Sequence, residues 1–362
     1  MVTTSWPSGE SSVAGAFVRT LAERLIAQGH AVSVIAPAGG GGRPGRSVES
    51  GVGVLRVAYP GWSTAPFCAQ GLPEALEGSP LTTLARAAPG LAALLVAAAV
   101  EGRAAGPQAV LVGHWLVPGG AIAQAAARVA GVEATTICHS GGVRLAARLP
   151  GPLARAVVRV GRGRGDFVAT CEELVEILER VSGERLGGRA IVSPMPVPEP
   201  VRIGSPPKEG PFRLLALGRL APIKGLDLLI EALAGLEGVE LHVCGEGGER
   251  GRLEALARRL GVSATFHGVV LGEEKARMFS TCHGFALTSR RLASGRTEGA
   301  PVALMEAMSY GLPVVATRVG GVEGLVSGHG GRAALCEPEV GSIRRGVEAL
   351  LSERLPKGED SA

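Results

Sequence analysis

The chain has 362 residues, 46% hydrophobic and 19% charged, which supplies core for two ordinary domains and excludes wholesale disorder. Its 55 glycines follow no three-residue period, so collagen is excluded. The cysteines (Cys68, Cys138, Cys171, Cys244, Cys282 and Cys336) form no CxxC, which argues against a disulfide framework or zinc ribbon and for a reduced, cytoplasmic compartment.

No positively charged region precedes an apolar stretch at the start, so no secretory signal is expected. The longest apolar run, residues 91–100, is too short to span a membrane and follows Pro89. Net charge is +4, and residues 1–204 hold 18 Arg, no Lys and 14 Asp and Glu, so the whole excess lies there. Between residues 134 and 165, Arg144, Arg148, Arg155, Arg159, Arg162 and Arg164 meet no acid. Such a stretch suits an anionic membrane surface or a phosphorylated acceptor, while a solvated helix face explains the same charges. Aromatic residues are 3%, too few for stacking platforms, and no nucleic-acid motif occurs, so nucleic acid is not an expected partner.

Strand-like and helix-like segments alternate. Val13, Phe17, Leu21 and Leu25 recur every four residues, as one helix face requires, and Gly29 stops that helix. Strands are expected at 31–36, 109–113, 134–138 and 167–170, with helices at 119–130 and 172–181. Seven prolines between residues 194 and 211 preclude helix or central strand and read as a semi-rigid connector. The alternation then resumes. Strands are expected at 212–217, 239–243, 264–267, 285–288 and 313–317, and helices at 226–236 and 342–355. The pattern implies two doubly wound α/β domains, 1–193 and 212–362, with a ligand cleft between them.

Several familiar sites are missing. There is no GxxxxGK[ST] loop and no HExxH. Residues 245–250 break GxGxxG at Arg250, so they read as a glycine-rich turn rather than a dinucleotide site. Two clusters remain. Arg219 and Lys224 follow the strand at 212–217, and lysine is scarce: four against 33 arginines. A guanidinium can fork onto phosphate oxygens and an ammonium can act as a point charge, although an exposed basic turn has the same sequence. The second cluster runs from Glu298 to Met308. Gly299 permits close backbone approach, Pro301 suits a first helical turn, and the free amides of that turn attract an anion. Glu306 lies among apolar neighbours, where a carboxylate needs a partner such as a ligand hydroxyl.

Gly218-Arg219 with Lys224-Gly225, then Glu298 and Glu306, then residues 311–317 and Gly320-Gly321 resemble the group 1, family four glycosyltransferases of the GT-B fold. The resemblance is strong from Leu215 to Leu325. In the first half Gly15, Gly29-His30-Ala31-Val32, His114-Trp115, His139-Ser140-Gly141 and residues 166–170 also fit. It implies two Rossmann-like domains facing a central cleft: an acceptor-side domain (1–193), a linker (194–211) and a donor domain (212–362). It implies transfer of a sugar from a nucleoside diphosphate, UDP or GDP, to a lipid or glycan acceptor with retention, and no metal or other cofactor. Arg219, Lys224 and the helix start at Gly299, Ala300, Pro301 and Val302 would meet the departing diphosphate. Glu306 would hold the ribose hydroxyls, and Glu298 would contact the sugar and orient the reacting phosphate. His139 would bond a sugar hydroxyl from the opposite domain. Gly268, Val269 and Val270 would lie near the base, and Gly15 against the donor. Domain closure would exclude water. The family often carries an acid where this chain has Gly142, its first strand is barely half present, and its usual final crossing helix is missing. These departures keep open a catalytically silent GT-B protein and, less favoured, a sugar-nucleotide epimerase. A location on the inner face of the cell membrane, through residues 144–164, is a further expectation.

Overall fold

A computed structural model describes residues 1–7, 15–38, 43–58, 80–293, 295, 297–327, 329–330 and 332–354. Val13, Cys68 and Leu355 fall outside them. The chain divides into two compact units, Met1–Pro196 and Val197–Ala362.

In the first unit, α1 (Ala16–Ala27) precedes β1 (Ser33–Pro37), β2 (Gly45–Glu49) and β3 (Val52–Val57). After α2 (Pro80–Ala105) come β4 (Val110–His114), α3 (Ala121–Ala130), β5 (Glu133–Cys138), α4 (Ser140–Ala146), α5 (Gly151–Arg162), β6 (Phe167–Ala169), α6 (Glu172–Ser182) and β7 (Ala190–Val192). The strands run in the orders β1-β3-β2 and β4-β5-β6-β7. Val2 joins the two groups, because it bridges Ile35 on one side and Gly113 on the other, both parallel. The expected half-strand at the amino terminus is thus a single bridging residue held by Val2 N–H to the Val112 carbonyl at 2.7 Å. Among the described strands only β2 runs antiparallel. Its hairpin with β3 carries too little apolar alternation to be read from the sequence.

The expectation that no apolar stretch could cross a membrane needs correction. The helix α2 continues through Pro89, and its segment Arg86–Ala105 is long and apolar enough by length and composition. Ala87, Leu94 and Ala98 on it pack with Val2, Ile35, Leu111 and Ile122. It therefore covers one sheet face, while Val96 and Val100 stay exposed.

The second unit has β8 (Phe212–Leu217), α7 (Leu226–Leu233), β9 (Val239–Cys244), α8 (Arg250–Leu260), β10 (Ala264–Gly268), α9 (Gly272–Thr281) and β11 (Gly284–Leu287). Then follow α10 (Val302–Ser309), β12 (Val314–Thr317), α11 (Val322–Val326), β13 (Ala333–Cys336) and α12 (Val340–Arg354). The six strands are all parallel in the order β10-β9-β8-β11-β12-β13. Alternation along them builds two cores. Phe212, Leu214 and Ala216 of β8 face α7, α8 and α12, whereas Leu215 joins Phe285, Leu287 and the residues of α9, α10 and α11. Burial of both faces explains why these strands read as near-continuous apolar runs.

The Pro-rich segment carries neither helix nor strand. Its latter part is anchored to the second unit: the Tyr310 hydroxyl bonds the backbone of Val201, and Ile203 N–H donates to Ser280 Oγ at 2.9 Å.

Candidate active site

The strand order of the second unit reverses between β8 and β11, and open parallel sheets bind ligands at the carboxyl ends of strands at such a switch point. Both sequence clusters emerge there. The turn after β8 carries Arg219 and, one tight 3-residue turn later, Lys224. Gly225 closes it at φ 58°, and a Cβ there would sit 2.1 Å from the Thr288 carbonyl oxygen after β11, so only glycine fits. Thr288 Oγ1 donates to the Gly225 carbonyl at 3.0 Å and ties the turn down. An open hollow of about 240 Å³ lies here, lined among others by Gly218, Arg219, Lys224 and Thr288.

Lys224 Nζ pairs with Glu298 Oε1 at 2.6 Å, and Ser289 Oγ donates to the same oxygen at 3.1 Å. Burial would raise the Glu298 carboxyl, but Lys224, Ser289 and Arg219 outweigh it and hold the carboxyl below its usual range. Glu298 is therefore an anion with one oxygen fixed. Its backbone is pinned too: a Cβ on Gly320, at φ 61°, would lie 1.9 Å from the Glu298 carbonyl oxygen, and Gly321 N–H donates to the Gly299 carbonyl at 3.2 Å. Pro301 then caps α10, whose first-turn amides at Val302 and Ala303 lack helical acceptors. Gly299, Ala300, Pro301 and Val302 thus form the approach to a helix N-terminus beside Glu298.

Glu306 is buried on α10, where the sequence asked for a partner. Lys275 Nζ on α9 pairs with Glu306 Oε1 at 2.5 Å and supplies one from the protein itself. Sequence reasoning missed Lys275. The scarcity of lysine was the available signal. Gly268 ends the edge strand β10, turning at φ 77°, and of the residues that follow Val269 is exposed and Val270 is core. The Gly245–Gly248 segment is the expected turn, packed so tightly that a Cβ on Gly245 would lie 1.9 Å from the Gly218 carbonyl oxygen.

The first unit gathers another set. Gly15 turns at φ 74° into α1, with the Ser5 carbonyl oxygen 2.2 Å from where its Cβ would be. From α1, Phe17 packs on His139 with ring centroids 5.1 Å apart, and Trp115 lies 5.2 Å from the same ring. His139 follows β5 and begins α4. His114, at the end of β4, points Nδ1 at His139 Nε2, 3.2 Å away. Burial pushes His139 down to about 3 and His114 well below its ordinary value, so both rings are neutral. Among the described residues, buried His114 Nε2 meets no partner. An orphaned lone pair is better tolerated than an orphaned N–H, which assigns the shared proton to His114 Nδ1. His139 then accepts at Nε2 and keeps its own proton on Nδ1.

The arginine stretch is less free in space than in sequence. Arg144 pairs with Glu173 at 2.6 Å, and Arg159 and buried Arg162 share Glu184 at 3.5 and 3.0 Å. Both acids come from the following segment. The five described cysteines are unpaired and buried. Among the described residues no group of three or more His, Cys, Asp or Glu could hold a metal ion.

A parallel six-stranded sheet with a basic turn and a helix N-terminus at its switch point, in one chain with a second α/β unit, is the architecture of the GT-B glycosyltransferases. The chain matches the glycosyl transferase 4-like domain over residues 14–194 and the glycosyl transferases group 1 domain over residues 200–361. It belongs to the group 1, family four glycosyltransferases. It is 37% identical over 122 residues to the amylovoran biosynthesis glycosyltransferase AmsK of Erwinia amylovora, a match covering 32% of this chain and 30% of that one. The chain spans about a third of the length of the curated relatives it matches. Sucrose-phosphate synthase of Thermosynechococcus elongatus shares the fold with a TM-score of 0.72 at 19% identity, over 98% of this chain and 89% of that one. Anabaena HepE in complex with UDP and glucose does so with a TM-score of 0.67 at 17% identity, over 98% and 90%.

Proposed function

We propose that the chain transfers a sugar from a nucleoside diphosphate, UDP or GDP, to a glycan or lipid-linked acceptor, with retention at the anomeric carbon and without a metal ion or other cofactor. The observation that carries this reading is the convergence of Arg219, Lys224, ionised Glu298 and the α10 N-terminus on one switch point. When the anomeric C–O bond breaks, the electron pair goes to the diphosphate. Arg219, Lys224 and the first amides of α10 stabilise that growing charge, the kind of preorganised electrostatics that dominates such steps. Glu298 contacts the sugar and orients the phosphate, and Glu306 accepts from the ribose hydroxyls. The backbone at Gly268, Val269 and Val270 borders the base. In the first unit, His139 donates from Nδ1 to a sugar hydroxyl and Gly15 lets the α1 turn approach the donor.

The relative AmsK is a biosynthetic glycosyltransferase for amylovoran, and HepE takes UDP and glucose, which supports a nucleotide-sugar donor and a role in cell-envelope glycan assembly. Such donors and the unpaired cysteines favour a cytoplasmic location. The exposed Leu153, Arg155 and Val160 of α5 support peripheral contact with an anionic membrane.

Calorimetric titration with UDP and GDP, without added metal, tests the donor site: micromolar binding of one is expected, and binding of neither by folded protein overturns it. Transfer from the matching nucleotide sugar, with the product linkage read by NMR coupling, tests the chemistry. Binding without turnover supports the silent reading instead, and release of a 2-epimer supports the epimerase.

A further inference from the structure

Only two lysines lie in the second unit's described site, and each is spent on one of its two glutamates. Lys224 takes Glu298 Oε1, and Lys275 takes Glu306 Oε1. In both pairs the ammonium sits on the Oε1 oxygen, and Ser289 joins Lys224 on that same oxygen of Glu298. The choice of lysine is physical. In a chain with 33 arginines, a guanidinium at either position would fork across both carboxylate oxygens, whereas an ammonium is a point donor that holds one and leaves the other as an acceptor. Glu306 is buried on α10, so without Lys275 its ionised form would be uncompensated and its orientation unset.

We propose that Lys275 is a positioning residue of the donor site: it fixes one carboxylate oxygen of Glu306 so that the other accepts the ribose hydroxyls of the nucleotide. The inference rests on the assignment of Glu306 to the ribose. It adds a residue from α9, outside both sequence clusters, to the determinants of nucleotide recognition. It also predicts where the effect falls: on the contribution of the ribose hydroxyls to binding, and not on the diphosphate contacts made by Arg219 and Lys224.

The test is calorimetry of the full chain with whichever of UDP or GDP binds, and with its 2′,3′-dideoxy counterpart. The wild type is expected to prefer the ribonucleotide by tenfold or more, the range of a hydrogen bond to a charged acceptor. Lys275→Met is expected to bring that preference to within about threefold, with dideoxynucleotide affinity unchanged, as a loss confined to the ribose contact requires. Glu306→Gln should do the same with Lys275 intact, and the double variant should be no worse than Glu306→Gln alone. Matching thermal unfolding of the variants excludes a folding defect, and Glu306→Gln keeps the test alive if Lys275→Met fails to fold. Full ribose preference in Lys275→Met, or additive losses in the double variant, overturns the role of Lys275 while leaving Glu306 on the ribose. No preference in the wild type overturns both.

Discussion

The two units answer the same demand, a polar site at the end of a parallel sheet, with opposite electrostatics. The second unit concentrates charge: Lys224 on Glu298 and Lys275 on Glu306, each lysine set on one carboxylate oxygen. The first unit removes it. His114 and His139 are stacked, buried and neutral, and Phe17 and Trp115 close around them. The contrast fits a division of labour in which one unit holds a diphosphate and the other donates a directional hydrogen bond from an uncharged ring. It also separates what breaks each site. Charge removal should cripple the second unit, and acid should loosen the first.

The largest effect is expected from Lys224→Ala. In the proposed reaction it removes a cation from the growing diphosphate charge, and it takes from Glu298 its nearest cation, leaving only the weaker influence of Arg219. Loss of one such group costs roughly 10²- to 10³-fold in kcat. Steady-state kinetics with the authentic donor checks this, and nucleotide affinity should fall alongside. A kcat within threefold of wild type would take Lys224 out of the reaction.

The backbone offers a comparison at matched dihedral angles. Gly225 in the second unit and Gly131 in the first both sit in the left-handed region, at φ 58° and 73°. A Cβ on Gly131 meets nothing within 4 Å, but one on Gly225 lands 2.1 Å from the Thr288 carbonyl oxygen. Gly131→Ala should cost about 1 kcal/mol, the left-handed penalty alone. Gly225→Ala adds a backbone collision and should lower the unfolding midpoint by at least twice as much, with nucleotide affinity reduced because Lys224 is its neighbour. Paired differential scanning calorimetry of the two variants reads the difference.

The pH response should split the units. His139 has a native pKa of about 3 against an ordinary value of 6.5. Between those values the unfolded chain binds a proton that the folded chain refuses. The stabilisation from the neutral ring is therefore complete above about pH 6.5 and is lost as pH falls toward 3, by up to about 1.4 kcal/mol per pH unit for each such histidine. His114 is shifted in the same direction. Glu298 is depressed from an ordinary 4.5, so its contribution persists above that value and fades only as pH drops through its lower native value. At pH 5 the first unit should show lower amide-exchange protection factors than at pH 7, and the second a smaller drop, because His242 and His267 there are also lowered by burial but less far. A replacement of both histidines by phenylalanine should flatten the first unit's dependence.

Legibility followed the same divide. The donor-side residues sit within short stretches: Gly218 to Gly225 and Glu298 to Glu306 each span about one loop and a helical turn, so spacing alone brings their side chains to one end of a sheet. The pairing of His114 with His139 crosses 25 residues and depends on two strands lying side by side, and the pairing of Lys275 with Glu306 crosses 31. Neither leaves a periodic trace. The arginine stretch shows the converse error. It reads as acid-free along the chain, yet α6 and the turn after it fold Glu173 and Glu184 back against it. Likewise α2 was hidden because Pro89 breaks the apolar run in sequence without ending the helix.

That correction sharpens the smallest expected effect, adsorption to anionic membranes. Arg144 and Arg162 are matched to carboxylates, so removing either side chain leaves an acid behind and changes the local field at the surface while also disturbing packing. Arg155 is exposed on α5, away from the stripe shared by Leu153 and Val160, with no partner among the described residues. A basic residue near an anionic bilayer contributes about 1 kcal/mol, roughly a fivefold change in partitioning. Arg155→Ala should therefore weaken sedimentation with phosphatidylglycerol vesicles about fivefold at low salt. Leu153→Asp should weaken it further by replacing buried apolar contact with repulsion, and neither should alter nucleotide binding in the second unit. Equal sedimentation of wild type with neutral and anionic vesicles would show that the first unit's surplus charge serves something other than a membrane, leaving a phosphorylated acceptor as the better match for those arginines.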